Sequence, residues 1–134
     1  MTPSTVTHPN GATLIDHVVI WSGDSRRTVA ALEGAGLRVL RVREDARPGF
    51  RQTFFRAGEV IVELVAPSEP ETSANRGSAR FFGIACTVSD LDTCAALLGD
   101  VLGPVKDAVQ RGRRIATLRG RELGLDVAVA FMTP

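Results

Sequence analysis

At 134 residues with a formal net charge of +1, the chain has the size of one domain, long enough to bury roughly two-thirds of its unfolded surface. The near-neutral charge gives no strong pull toward nucleic acid or anionic membrane, and no run approaches the roughly 20 apolar residues of a membrane helix. Tyrosine is absent and Trp21 is the only tryptophan, so a stacking platform for single-stranded nucleic acid is missing too.

Residues 1–13 read as a polar, flexible tail without the basic-then-apolar layout of a secretory signal. Cys86 and Cys94 fall inside a predicted strand and a predicted helix and read as small buried hydrophobes. Both features lead to the expectation of a reducing, cytoplasmic setting.

The β-rich apolar run Leu14–Trp21 is the first predicted strand. Asp24 or Ser22 is placed to cap a helix. The stripe of that helix is drawn from Val29, Leu32 and Leu37 with Ala30, Ala31 and Ala35, and Gly34 and Gly36 stop it. A second strand spans Leu37–Val42 and a third Gln52–Arg56, and Ala57-Gly58 turns the chain into a fourth, Val60–Val65. Residues 67–79, rich in proline, serine, glutamate and glycine, read as a linker. Phe81–Val88 is the next strand, and Ser89-Asp-Leu-Asp92 resembles a capping box before the helix containing Cys94, Ala95, Leu97 and Leu98. Short strands follow around Val105, at Arg114–Leu118 and at Leu125–Met132.

The order β-α-β-β-β therefore occurs twice, and the copies align residue by residue. Ile15–Asp24 lies over Phe81–Asp90 at an offset of 66 residues, and Val62–Pro67 lies over Val129–Pro134 at an offset of 67. The domain is expected to be residues 14–134, with module one at 14–66 and module two at 80–134.

This order resembles the vicinal oxygen chelate superfamily, which includes glyoxalase I, extradiol dioxygenases and bleomycin-binding proteins. The resemblance is carried by Ile15-Asp-His-Val-Val-Ile20, by Val60–Val65 with Pro67, and by Ile84–Asp92. It implies an α+β fold in which tandem βαβββ modules form a curved mixed sheet around a cleft. It also implies metal ligands on the first and last strands of each module. His17 and Glu63 match those positions in module one; Gly83 and Ala130 stand there in module two and have no donor atom. Three or more protein ligands are normal for a catalytic divalent ion. No cofactor is therefore expected, and zinc, nickel, manganese or iron is admitted only with His17 and Glu63 as ligands. Gln52 or Asp16 could be recruited, although strand alternation turns Asp16 away from His17.

Alternation also defines the face shared with His17 and Glu63. Ile15, Val19, Trp21 and Ile61 accompany them in module one, with Gln52 and Phe54 from the third strand. Phe81, Gly83, Ala85, Ala128, Ala130 and Met132 supply the corresponding face of module two. The small residues there are expected to leave room for a ligand.

The expected function is binding of a small apolar or aromatic molecule by this wall. The alternative is a glyoxalase-type lyase or isomerase in which His17 and Glu63 move a proton, with or without a divalent metal. Arg47, Arg51, Arg111, Arg113 and Arg114 surround predicted turns, where they either clamp an anion or face water. A homodimer is expected, since members of such families often pair and exposed sheet edges favour it.

Overall fold

The computed structural model describes residues 6–69 and 78–134. The elements follow one another as β1 (Ala12–Trp21), α1 (Ser25–Gly34), β2 (Val39–Arg47), β3 (Phe50–Ala57), β4 (Val60–Pro67), β5 (Arg80–Val88), α2 (Leu91–Leu98), β6 (Lys106–Asp107), β7 (Arg114–Thr117) and β8 (Ala128–Met132). Short 3-10 turns occupy Gly99–Val101 and Gly120–Leu123. The strand order is β2-β3-β4-β1-β5-β8-β7-β6, so the expected α+β, mixed-sheet class is the observed one. No helix among the described residues is long and apolar enough to cross a membrane.

The repeat is visible in the strand registers. In module one β1 runs parallel to β4, with His17 opposite Ile61 and Val19 opposite Glu63. In module two β5 runs parallel to β8, with Gly83 opposite Ala128 and Ala85 opposite Ala130. Each last strand then pairs antiparallel with its predecessor, β4 with β3 and β8 with β7. The helix starts repeat as well. Asp24 and Asp90 both hold extended backbone, and each side chain accepts a bond from the backbone N–H three residues on, at 3.1 Å in both cases. The second cap is thus Asp90 rather than Ser89, whose own N–H donates to Gly11 O.

Alternation assigns one face of each sheet to a helix. In module one Phe55, Val62 and Leu64 form the core with Val18 and Ile20, and Val29, Leu32 and Leu37 pack against it. Ala30, Ala31 and Ala35, expected in that stripe, are exposed. Gly36, at a φ of 98°, supplies the left-handed turn that ends α1, and Leu37 N–H donates back to Leu32 O. In module two Val88, Leu91, Cys94, Leu102, Ala116 and Phe131 form the helix-side core. Cys86 and Cys94 are free thiols, and burial pushes both upward in pKa, so they behave as small hydrophobes.

Several boundaries differ from expectation. β1 begins at Ala12, inside the stretch read as tail, because Gly11 O and Thr13 Oγ1 are tied to the end of β5 at Ser89 and Thr87. β2 extends to Arg47 rather than Val42. Its charged end has poor strand propensity, but pairing with β3 through two register shifts overrides that preference. The last strand starts at Ala128 rather than Leu125, after the 3-10 turn. Of the linker, residues 70–77 lie outside the described residues.

The chain divides into two compact units, each packed mainly within itself. One is His17–Phe82; the other is Gly83–Pro134 joined by the chain start up to Asp16.

Candidate functional site

In the unit 17–82, the sheet face turned away from α1 carries three polar side chains on neighbouring strands. His17 sits on β1, Glu63 on β4 and Gln52 on β3. Gln52 Nε2 donates to Glu63 Oε1 at 2.6 Å. His17 Nε2 lies 3.7 Å from Glu63 Oε2, an ion-pair distance for protonated histidine but too long for a direct hydrogen bond. The side chains of His17 and Glu63 are 20% and 14% exposed, so both are reachable and partly desolvated. The Oε1 atom of Gln52 is buried with no hydrogen-bond partner among the described residues. A buried amide oxygen left in that state costs about 1–3 kcal/mol relative to a bonded one.

The surroundings are apolar. Phe54 stands directly opposite Glu63, and Gln52 opposite Val65. Val19 and Trp21 follow His17 on β1, and Ile61 precedes Glu63 on β4; all are partly buried. Phe81, expected on this wall, is half exposed. Two aromatic rings carry a guanidinium: Arg41 lies 5.1 Å from the Phe54 centroid and Arg80 lies 5.2 Å from Trp21.

The corresponding face of the other unit has a different character. By the repeat register, His17 corresponds to Gly83, Glu63 to Ala130 and Gln52 to Ile115. Ala85, Ala130 and Met132 are buried as a small core, with Ala108 and Ile115 packed on them. A Cβ added at Gly83 would meet Ala128 O at 2.8 Å and Ala128 Cβ at 3.0 Å. A side chain at position 83 therefore has no room toward β8, whose backbone approaches there too closely. Ile15 also belongs to this unit and is partly buried.

A model of the glyoxalase/bleomycin resistance protein/dioxygenase superfamily matches residues 16–117, well over half the chain. The chain belongs to this superfamily. Solved structures agree on the fold. A methylmalonyl-CoA epimerase from Mycobacterium tuberculosis is 18% identical, with a TM-score of 0.73 over 97% of this chain and 93% of that one. A Streptomyces coelicolor methylmalonyl-CoA epimerase variant, in complex with 2-nitronate-propionyl-CoA, is 24% identical, with a TM-score of 0.66 over 91% and 97%. A hypothetical protein of Bacillus halodurans is 20% identical, with a TM-score of 0.67 over 90% and 93%. No curated protein matches the chain.

The superfamily's metal chemistry uses donors from both modules, and the residues present fit it poorly. Module two offers glycine, alanine and isoleucine at the positions equivalent to His17, Glu63 and Gln52. In module one a Gln52 N–H already occupies one oxygen of Glu63. Asp16 does turn away from His17; it accepts from Arg113 Nη2 at 2.9 Å.

Three of the arginines expected at turns are engaged by the protein itself. Arg113 also donates to Thr133 O and Gln110, Arg114 pairs with Asp92, and Arg51 pairs with Glu44. The arginines whose register sets them on the His17 face are Arg41 and Arg43 of β2 and Arg56 of β3, and of these Arg43 lies past the expected end of its strand at Val42. The i, i+2 spacing of Arg41 and Arg43 in Leu40-Arg-Val-Arg43 is the available signal. A hollow of about 410 Å³ lies on the opposite side of the same sheet, between α1 and β2–β3, lined by Val29, Val39, Val42 and Thr53. Of the expected site residues it contains none; Arg51, expected at a turn, borders it.

Proposed function

We propose that this chain is a small-molecule-binding member of the superfamily and that its ligand occupies the His17–Gln52–Glu63 face. The observation that carries this reading is the orphaned Gln52 Oε1 beside a Glu63 carboxylate held at 2.6 Å by the same amide. A ligand N–H or O–H would satisfy that oxygen, and Phe54, Trp21, Val19 and Ile61 would cover an apolar or aromatic body. The reading is metal-free, in keeping with the donor set.

Trp21 is the only tryptophan and shares this face, so its fluorescence reports occupancy. Screening small aromatic and aliphatic acids, amides and acyl thioesters should give a saturable change in emission. The same titration should fail in Glu63→Leu protein with an unaltered fold by circular dichroism. Absence of any saturable response, or an unchanged response in Glu63→Leu, overturns the assignment.

A second reading is favoured by the His17–Glu63 pair and by similarity to methylmalonyl-CoA epimerases. In it, Glu63 or neutral His17 removes a proton beside an activated carbonyl and the other group helps return it. Mass spectrometry of methylmalonyl-CoA incubated with the protein in D₂O separates the readings. Incorporation of deuterium that is lost in Glu63→Gln supports catalysis, and a bound ligand without incorporation supports binding alone.

A further inference from the structure

The ligand face of the unit 17–82 has an unbalanced charge. Register places Arg43 directly opposite Gln52, Arg41 directly opposite Phe54, and Arg56 opposite Ile61, the β4 neighbour of His17, so each row of the polar triad contains an arginine. Directly paired residues on adjacent strands share a sheet face. From the start of β5, Arg80 reaches the Trp21 ring, 5.2 Å from its centroid. Against these four guanidinium groups the rows carry one carboxylate, Glu63, which is already held by Gln52. Arg51, Arg113 and Arg114 each meet a carboxylate of the protein. Among the described residues Arg41, Arg43, Arg56 and Arg80 meet none. Arg43 is moreover half-buried, where an uncompensated cation costs more than at the surface.

From this we infer that the site selects organic anions, with Arg43 as the anchor for the acidic group and Arg41 and Arg80 as a cationic rim. The inference rests on the ligand-binding reading above and adds the ligand's charge class. The ligand is an apolar or aromatic body bearing a carboxylate, sulfonate or phosphate. Its acid group accepts from the Arg43 fork, which can donate two parallel hydrogen bonds. Its body lies over Phe54 and Trp21. The arginine-stacked rings are preorganised for this, because stacking holds each guanidinium over the aromatic surface.

The test uses two fluorescent probes of nearly equal shape, anionic 8-anilinonaphthalene-1-sulfonate and uncharged N-phenyl-1-naphthylamine, with energy transfer from Trp21 as the readout. Wild-type protein should bind the anion more tightly. Arg43→Gln should weaken the anion by about tenfold or more while leaving the neutral probe within about twofold. Arg43→Lys, which keeps the charge but not the fork, should recover part of the lost affinity. Far-UV circular dichroism and urea midpoints of both variants establish that they are folded. If Arg43→Gln binds both probes as wild type does, or loses both alike, the charge-class inference is overturned while the binding site stands. If wild-type protein binds neither probe near Trp21, the site assignment fails and this inference fails with it.

Discussion

The sheet faces of modules one and two are built on the same backbone register and carry opposite chemistry. Where module one sets His17, Gln52 and Glu63, module two sets Gly83, Ile115 and Ala130. The first set makes a hydrogen-bonded polar cluster with an unsatisfied amide oxygen. The second makes a packed apolar surface around Ala85 and Met132. One repeated pattern can thus hold a polar cluster in one copy and a packed apolar face in the other. The helix side needs no such divergence, and there the two copies even keep the same aspartate cap.

The comparison is most severely tested by moving module one's acid into module two. Ala130→Glu would put a carboxylate against Ala85, Met132 and Ile115 without a partner, and should cost about 4 kcal/mol or prevent folding at neutral pH. Urea denaturation reads this directly. Burial raises the folded-state pKa of the new group, so the loss should shrink as pH falls through that raised value. A stable Ala130→Glu protein at pH 7 would break the claim that this face is packed.

Gly83→Ala comes next. The added Cβ has only 2.8 Å to Ala128 O, and the strand must shift to admit it, costing about 2 kcal/mol. Glu63→Gln, by contrast, should change stability by about 1 kcal/mol or less, because a neutral amide can still accept from Gln52. A double-mutant cycle with Gln52→Ala and Glu63→Ala should give a coupling of about 1.5–2 kcal/mol, as for a hydrogen bond to a charged group. No coupling would remove the bond from the site.

How much was legible in the sequence follows the same division. Strand alternation and the repeat located His17 and Glu63 on one face, and glycine and aspartate signals located both helices. Gln52 could be placed beside them, but alternation carries no distances, so its bond to Glu63 could not be read. The packing of Gly83 was likewise illegible, since small side chains signal open space and close backbone approach equally well. Arg43 was missed because β2 continues through residues that favour loops, held there by β3.

Comparably small effects concern the caps. Asp24→Ala should cost about 1 kcal/mol. Bonding to Thr93 N–H holds the Asp90 carboxyl below its ordinary range. Its contribution should be complete above the unfolded value near about 4 and lost as pH falls through the lower folded one. Asp90→Asn should flatten that part of the acid limb in a stability-against-pH series. An unchanged acid limb would mean the cap does not couple to folding.

The most direct test of the division is an amide chemical-shift map recorded while 8-anilinonaphthalene-1-sulfonate is titrated into isotope-labelled protein. Saturable shifts centred on His17, Arg43, Gln52, Phe54 and Glu63 are predicted. Shifts centred instead on Ala85, Ala130 and Met132 would contradict the assignment of recognition to module one.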